Sequence, residues 1–93
     1  MTNDDIEELA NYIERELYRD IGPLLFGTKL YTALGFPSAH AFRQACSRNT
    51  MPVEVFNIEN RRGKFALSRD VAKWLATQKI NNIDSGGFIE KKI

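Results

Sequence analysis

The 93-residue sequence lacks several features that mark large classes of proteins. It has a single cysteine, Cys46, so no internal disulfide can form. No run approaches the ~18 consecutive apolar residues that a membrane-spanning helix needs. The first residues are acidic and have neither the basic nor the apolar segment of a secretory signal peptide. We therefore expect a cytoplasmic protein that does not enter a membrane.

Groups for catalysis or metal binding are also scarce. His40 is the only histidine and has no cysteine or histidine cluster around it, so we expect no metal site. Cys46 falls on a different side of its predicted helix from His40, which does not indicate a nucleophile–base pair. The carboxylates of residues 4–20 lie on the solvent side of an amphipathic helix, not in a cleft. We expect no catalytic residue, no cofactor and no small-molecule substrate.

The length and the 43% apolar content predict one folded domain. Its charge is unevenly distributed along the chain. Residues 1–20 hold seven acidic and two basic residues, a net charge of −5. Residues 21–93 hold eleven basic and five acidic residues, a net charge of +6. This asymmetry indicates a polyanionic partner for the second segment and a separate role for the first, although two differently solvated faces of one surface would also account for it.

The apolar spacing predicts an amphipathic helix over residues 4–20, with Asp4 as its N-cap and Gly22-Pro23 as its end. Its apolar side is expected to pack against a second copy or against the rest of the chain. These face residues are Ile6, Leu9, Ala10, Ile13 and Leu17. Residues 24–26 follow as an apolar linker that must be buried.

Two short helices and a tight turn come next, which is the spacing of a helix-turn-helix. The first spans about residues 28–34, with Thr28 as its cap and Gly35 after its end. Ser38 is expected to cap the second, which runs to about Arg48. One side of this second helix is Phe42, Ala45, Cys46 and Asn49. The other side is His40, Arg43, Gln44, Ser47 and Arg48.

A β-hairpin is predicted after Pro52, because residues 53–58 and 65–67 favour strands and the loop between them contains Asn60 and Gly63. Ser68 then caps a last helix that runs to about Lys79, with Trp74 expected in the core beneath the two short helices. Asn81-Asn82 and residues 85–87 indicate a loop, and residues 88–93 a frayed tail or one short strand.

Two clusters of polar residues indicate binding. Arg and Gln are the side chains that reach base edges in the major groove, and no acidic residue occurs from Ser38 to Met51. The hairpin loop carries Arg61, Arg62 and Lys64, which can contact phosphates or enter a minor groove. An ordinary solvated helix face and a solubilising loop are the alternatives for each cluster taken alone.

Residues 30–76 resemble the excisionase-like, MerR-related winged-helix proteins, which include AlpA-type phage regulators and pyocin activators. The matching positions are Leu34-Gly35, Phe42-Arg43, Met51-Pro52, Asp70-Val71 and Trp74-Leu75. The resemblance implies base or backbone contacts from Ser38, His40, Arg43 and Gln44, and wing contacts from Arg61, Arg62 and Lys64. Family members often have Gly where this chain has Asn49 or Thr50, and they often lack the acidic first helix.

The sequence thus predicts an α+β winged helix-turn-helix with an extra N-terminal helix. Residues 1–22 would form the acidic helix, residues 28–79 the DNA-binding module and residues 80–93 a tail. The expected function is sequence-specific binding of double-stranded DNA in transcription or mobile-element recombination, near the nucleoid. A module this small would act as a homodimer or cooperative multimer through Ile6, Leu9, Ile13 and Leu17. The rival hypothesis is an adaptor or antirepressor that binds a partner protein through its acidic helix.

Overall fold

The computed structural model describes residues 3–84, which form an α+β fold of four helices and a two-stranded antiparallel sheet. The predicted α+β class is confirmed. The expectations for residues 85–93 lie outside the described residues. The elements in chain order are α1 (Asn3–Asp20), β1 (Leu24–Phe26), α2 (Gly27–Ala33), α3 (Ala39–Ser47), β2 (Phe65–Leu67) and α4 (Ser68–Asp84).

Helices α1 and α4 pack against each other along their lengths in opposite directions. The first half of α1 lies beside Lys79 and Ile80 of α4, while Glu14 lies 3.9 Å from the Arg69 guanidinium at the start of α4. The predicted end of the last helix near Lys79 is wrong, since α4 continues through Asn81-Asn82 to Asp84. Burial of Ile80 in this packing outweighs the weak helix preference of the two asparagines.

The apolar segment after Pro23 is a strand, not a linker. Leu24, Leu25 and Phe26 pair with Leu67, Ala66 and Phe65 of β2. Alternation along the strand buries Leu25 completely and leaves Phe26 58% exposed. The expectation that the whole segment is buried is therefore wrong for Phe26. Its ring lies 5.3 Å from that of Phe65, measured between centroids.

The predicted hairpin between residues 53–58 and 65–67 forms only in part. Phe56 and Phe65 exchange both backbone hydrogen bonds at 2.9 Å, but Phe56 is an isolated bridge and not part of a strand. The strand partner of β2 is β1 instead. Val53 and Val55 are half-buried against the core, so their apolar character reflects packing and not strand pairing.

The helix ends confirm some predictions and correct others. Ser38 Oγ accepts a hydrogen bond from the Ala41 N–H at 3.1 Å, so Ser38 is the N-cap of α3 as predicted. Asp4 and Thr28 lie inside their helices and are not N-caps; the N-cap of α2 is Phe26. Gly35 follows α2 with φ +87° and Asn49 follows α3 with φ +58°, which places both in the left-handed conformation that ends helices.

The main core lies between the sheet, the two short helices and α4. Its buried members are Leu25, Leu30, Leu34, Phe42, Ala66 and Val71. Trp74 is half-buried at the edge of this cluster, so it belongs to the core as predicted but is less enclosed than expected. Within residues 3–84, no helix is long and apolar enough to cross a membrane.

Candidate nucleic-acid interface

Helix α3 presents a polar face opposite its core side. Phe42 and Ala45 are buried, while His40, Arg43, Gln44, Ser47 and Arg48 are all exposed. The predicted division of this helix therefore holds, except that Asn49, placed on the inner side by the sequence, is exposed. Ser38 is exposed as well, but its Oγ already accepts the capping hydrogen bond, which leaves its O–H group for a ligand.

The loop between Phe56 and Phe65 carries the second group of cations. The paired backbone bonds of these two residues close its base. Asn60 at φ +63° and Gly63 at φ +90° allow the chain to reverse there, because both residue types tolerate the left-handed region. Arg61, Arg62 and Lys64 are exposed on this loop, and the Arg61 guanidinium donates to the Asn60 carbonyl at 3.3 Å.

A cleft of about 640 Å³ separates α3 from this loop and brings the two predicted clusters together. Arg43 and Ser47 line it from α3, and Arg62 and Lys64 line it from the loop. The described residues that line the cleft include no aspartate or glutamate. Two segments about twenty residues apart thus supply three cations to one surface, which favours an anionic partner.

The floor of the cleft is apolar and was not predicted. Phe26, Tyr31, Phe42 and Cys46 contribute to it, and the Tyr31 and Phe42 rings lie 6.3 Å apart between centroids. Phe26 was missed because its segment was interpreted as a buried linker. A period of two over residues 24–26, with Leu25 inward, would have placed Phe26 outside, but three residues are too few to establish a period.

The remaining candidate residues lie around the cleft and not in it. His40, Gln44 and Arg48 are exposed on α3, and Arg61 is exposed on the loop, but none of them lines the cleft. A smaller depression adjoins it on the other side of Lys64 and includes Glu54, an exposed acid. The surface beyond the cleft therefore carries negative charge near Lys64.

The residues proposed for assembly are half-buried within their own chain. They lie on α1, which packs against α4 of the same chain. This is one of the two arrangements that the sequence left open for the apolar side of α1. These residues are Ile6, Leu9, Ile13 and Leu17. Their role in joining two copies stays a prediction. Tyr12 and Tyr18, at 53% and 58% exposure, are the aromatic residues that α1 presents to solvent.

Nothing in the described chain assembles a metal centre. No three His, Cys, Asp or Glu side chains among residues 3–84 come together as a metal-binding group. Cys46 is a half-buried free thiol in the floor of the cleft. No family model, curated protein or solved structure matches the chain.

Proposed function

We propose that the protein binds double-stranded DNA in a sequence-specific manner, as a winged helix-turn-helix in which α2 and α3 form the helix pair and residues 57–64 the wing. The observation that carries this proposal is the convergence of Arg43, Arg62 and Lys64 on one cleft whose described lining has no acid. Phosphates are attracted to such a surface, and binding releases their counterions.

The two sides of the cleft have different roles in this proposal. Helix α3 enters the major groove, where the long side chains of Arg43 and Gln44 reach guanine and adenine edges. His40 at the start of α3, and Ser47 and Arg48 at its end, contact the flanking phosphates. The loop lies across the neighbouring backbone, with Arg62 and Lys64 on phosphates and Arg61 at the minor-groove side.

The biological role that we propose follows from the small size of the module. A protein that reads DNA without altering it regulates transcription or assists mobile-element recombination, in the cytoplasm at the nucleoid. Because one module of this size offers a small contact area, specific binding requires a homodimer or a row of copies on DNA. No cofactor is needed for either role.

Salt-dependent binding to DNA tests this function directly. The full-length protein should bind random-sequence duplex DNA, and log Kd should rise linearly with log salt concentration. Lys64→Ala should reduce the slope by about 1, because one phosphate contact is lost. Lys73→Ala is the matched control, because Lys73 is exposed on α4 and does not line the cleft. Absence of salt-dependent binding, or equal effects of the two variants, would contradict the proposal.

A partner protein is the second candidate, and the exposed tyrosines of α1 favour it. Tyr12 and Tyr18 lie on a segment of net charge −5, and tyrosine is enriched at protein interfaces. A basic protein would be the partner of such a helix. Two columns separate the two functions. A cationic DNA-binding cleft is retained on heparin, which is a polyanion, whereas an acidic docking helix is retained on an anion-exchange resin.

A further inference from the structure

The floor of the cleft has no evident role in contacting duplex DNA. DNA needs hydrogen-bond donors and cations, and the rim residues supply these, Arg43 for base edges and Arg62 and Lys64 for phosphates. Phe26, Tyr31 and Phe42 offer apolar surface instead. Phe26 is 58% exposed, although a side chain of this size gains free energy when it is covered.

The dimensions and chemistry of the cleft suit a small molecule. Its volume of about 640 Å³ falls within the roughly 300–1,000 Å³ of typical ligand sites. Such sites combine apolar walls with a few polar groups that fix orientation. Here the aromatic floor can cover a flat apolar body, and the rim cations can pair with an acidic group on it.

We propose that this cleft binds a small organic anion with a flat aromatic body, such as an aromatic carboxylate or sulfonate. The ring system lies on Phe26 and Tyr31, and the acidic group faces Arg62 and Lys64. Charge complementarity selects the anion, because the described lining of the cleft has three cations and no acid. This proposal concerns a ligand and not a substrate, and it does not depend on the proposed DNA binding.

One regulatory consequence arises if both proposals hold. The acidic group of the ligand and a DNA phosphate would use the same cations, Arg62 and Lys64, so one excludes the other. The organic anion would then release the protein from DNA without any change of fold. Binding of the anion and competition with DNA are separate measurements.

A fluorescent anion provides the test on the full-length protein. The probe 8-anilinonaphthalene-1-sulfonate should bind saturably at one site per chain, with an increase in fluorescence. Its neutral analogue N-phenyl-1-naphthylamine should bind about tenfold more weakly, because it lacks the group that pairs with the cations. Equal affinity for the two probes would overturn the proposal.

Two variants and their controls locate the site. Phe26→Ala should weaken sulfonate binding about tenfold, and Tyr18→Ala, which removes an equally exposed aromatic ring on α1, should leave it unchanged. Lys64→Ala should weaken it about two- to fivefold, and Lys73→Ala should not. Thermal melting checks that each variant folds. If Phe26→Ala proves unstable, Lys64→Ala provides the test, because Lys64 is exposed. Binding that survives both Phe26→Ala and Lys64→Ala would refute the assignment.

Competition with DNA distinguishes this inference from the proposed function. Saturating sulfonate should displace random-sequence duplex DNA from the wild-type protein. If the sulfonate binds at the cleft but no DNA binds, the proposed function fails and the ligand site stands. If DNA binds and neither variant alters sulfonate binding, the ligand site fails and the DNA function stands.

Discussion

The substitution Ser68→Ala should test the hydrogen bond that joins the start of α4 to the turn between α1 and β1. Ser68 is 1% exposed, and its Oγ donates to the Gly22 carbonyl at 2.6 Å. Its backbone N–H donates to the Pro23 carbonyl at 2.9 Å. The sequence predicted that the Ser68 hydroxyl would cap α4, but the hydroxyl instead holds the turn between α1 and β1. Ser68→Ala keeps the backbone bond and removes the side-chain bond.

The expected cost follows from the burial of the Ser68 donor and from the partial burial of its bond to Gly22. Loss of a buried hydrogen bond that leaves its partner unsatisfied costs about 1–3 kcal/mol. For a domain of this size, each kcal/mol shifts Tm by roughly 4–8 °C, so Ser68→Ala should lower Tm by roughly 4–24 °C. Circular dichroism during heating measures this shift. A Tm within about 1 °C of the wild type would refute the role given to this bond.

Thr77→Val is the matched control for this experiment. The Thr77 hydroxyl donates to the Lys73 carbonyl at 2.8 Å within α4, and this hydrogen bond is exposed to solvent. Water can replace the lost donor there, and the valine keeps the shape of the side chain. We therefore expect a change of less than about 0.5 kcal/mol, as for most surface substitutions. Equal effects from the two variants would show that the bond to Gly22 contributes no more than a hydrogen bond within α4.

Four further predictions concern the cleft, the core and assembly. Arg43→Ala should cost about 1–3 kcal/mol and relax one position of the DNA site, whereas Arg62→Ala should weaken all sequences equally; a panel of single-base variants decides this. Glu54→Gln should tighten binding of random-sequence DNA, because it removes an acid beside Lys64, and unchanged affinity would place Glu54 outside the interface. Trp74→Ala should lower the unfolding free energy by about 2–3 kcal/mol, less than for a fully buried tryptophan, as measured by denaturant titration. A loss of DNA binding at unchanged stability would make Trp74 a contact residue. Tyr12→Glu should abolish cooperative DNA binding if copies join through α1, and unchanged cooperativity in gel-shift titrations would reject that role.

The sequence predicted the helices well because their signals are local. The spacing of Ile6, Leu9, Ile13 and Leu17 defines α1 without reference to the rest of the chain. Ser38 and Gly35 mark helix ends by their own chemistry, a side-chain acceptor and a left-handed backbone. The polar face of α3 follows from the same period.

The sheet was predicted poorly because its pairing is not local. Leu24 pairs with Leu67, 43 residues later, and each strand has three residues. Residues 53–58 favour strands equally well and lie nearer to β2, so the sequence selected the wrong partner. The same error hid Phe26, because only its pairing with Phe65 places it over the cleft. The cations of the site were predicted and its apolar floor was not.

The pairing of α1 with α4 has a consequence for synthesis on the ribosome. Helix α1 is synthesised before α4, the helix that covers its apolar side, and α4 ends 64 residues after α1, at Asp84. At 5–20 residues per second, Ile6, Leu9 and Ile13 wait roughly 3–13 s for that cover. During this interval, the negative charge of the seven acidic residues of this segment should prevent aggregation through the uncovered apolar face. Substitutions that neutralise them should therefore reduce the yield of newly made protein more than the melting temperature of the finished fold.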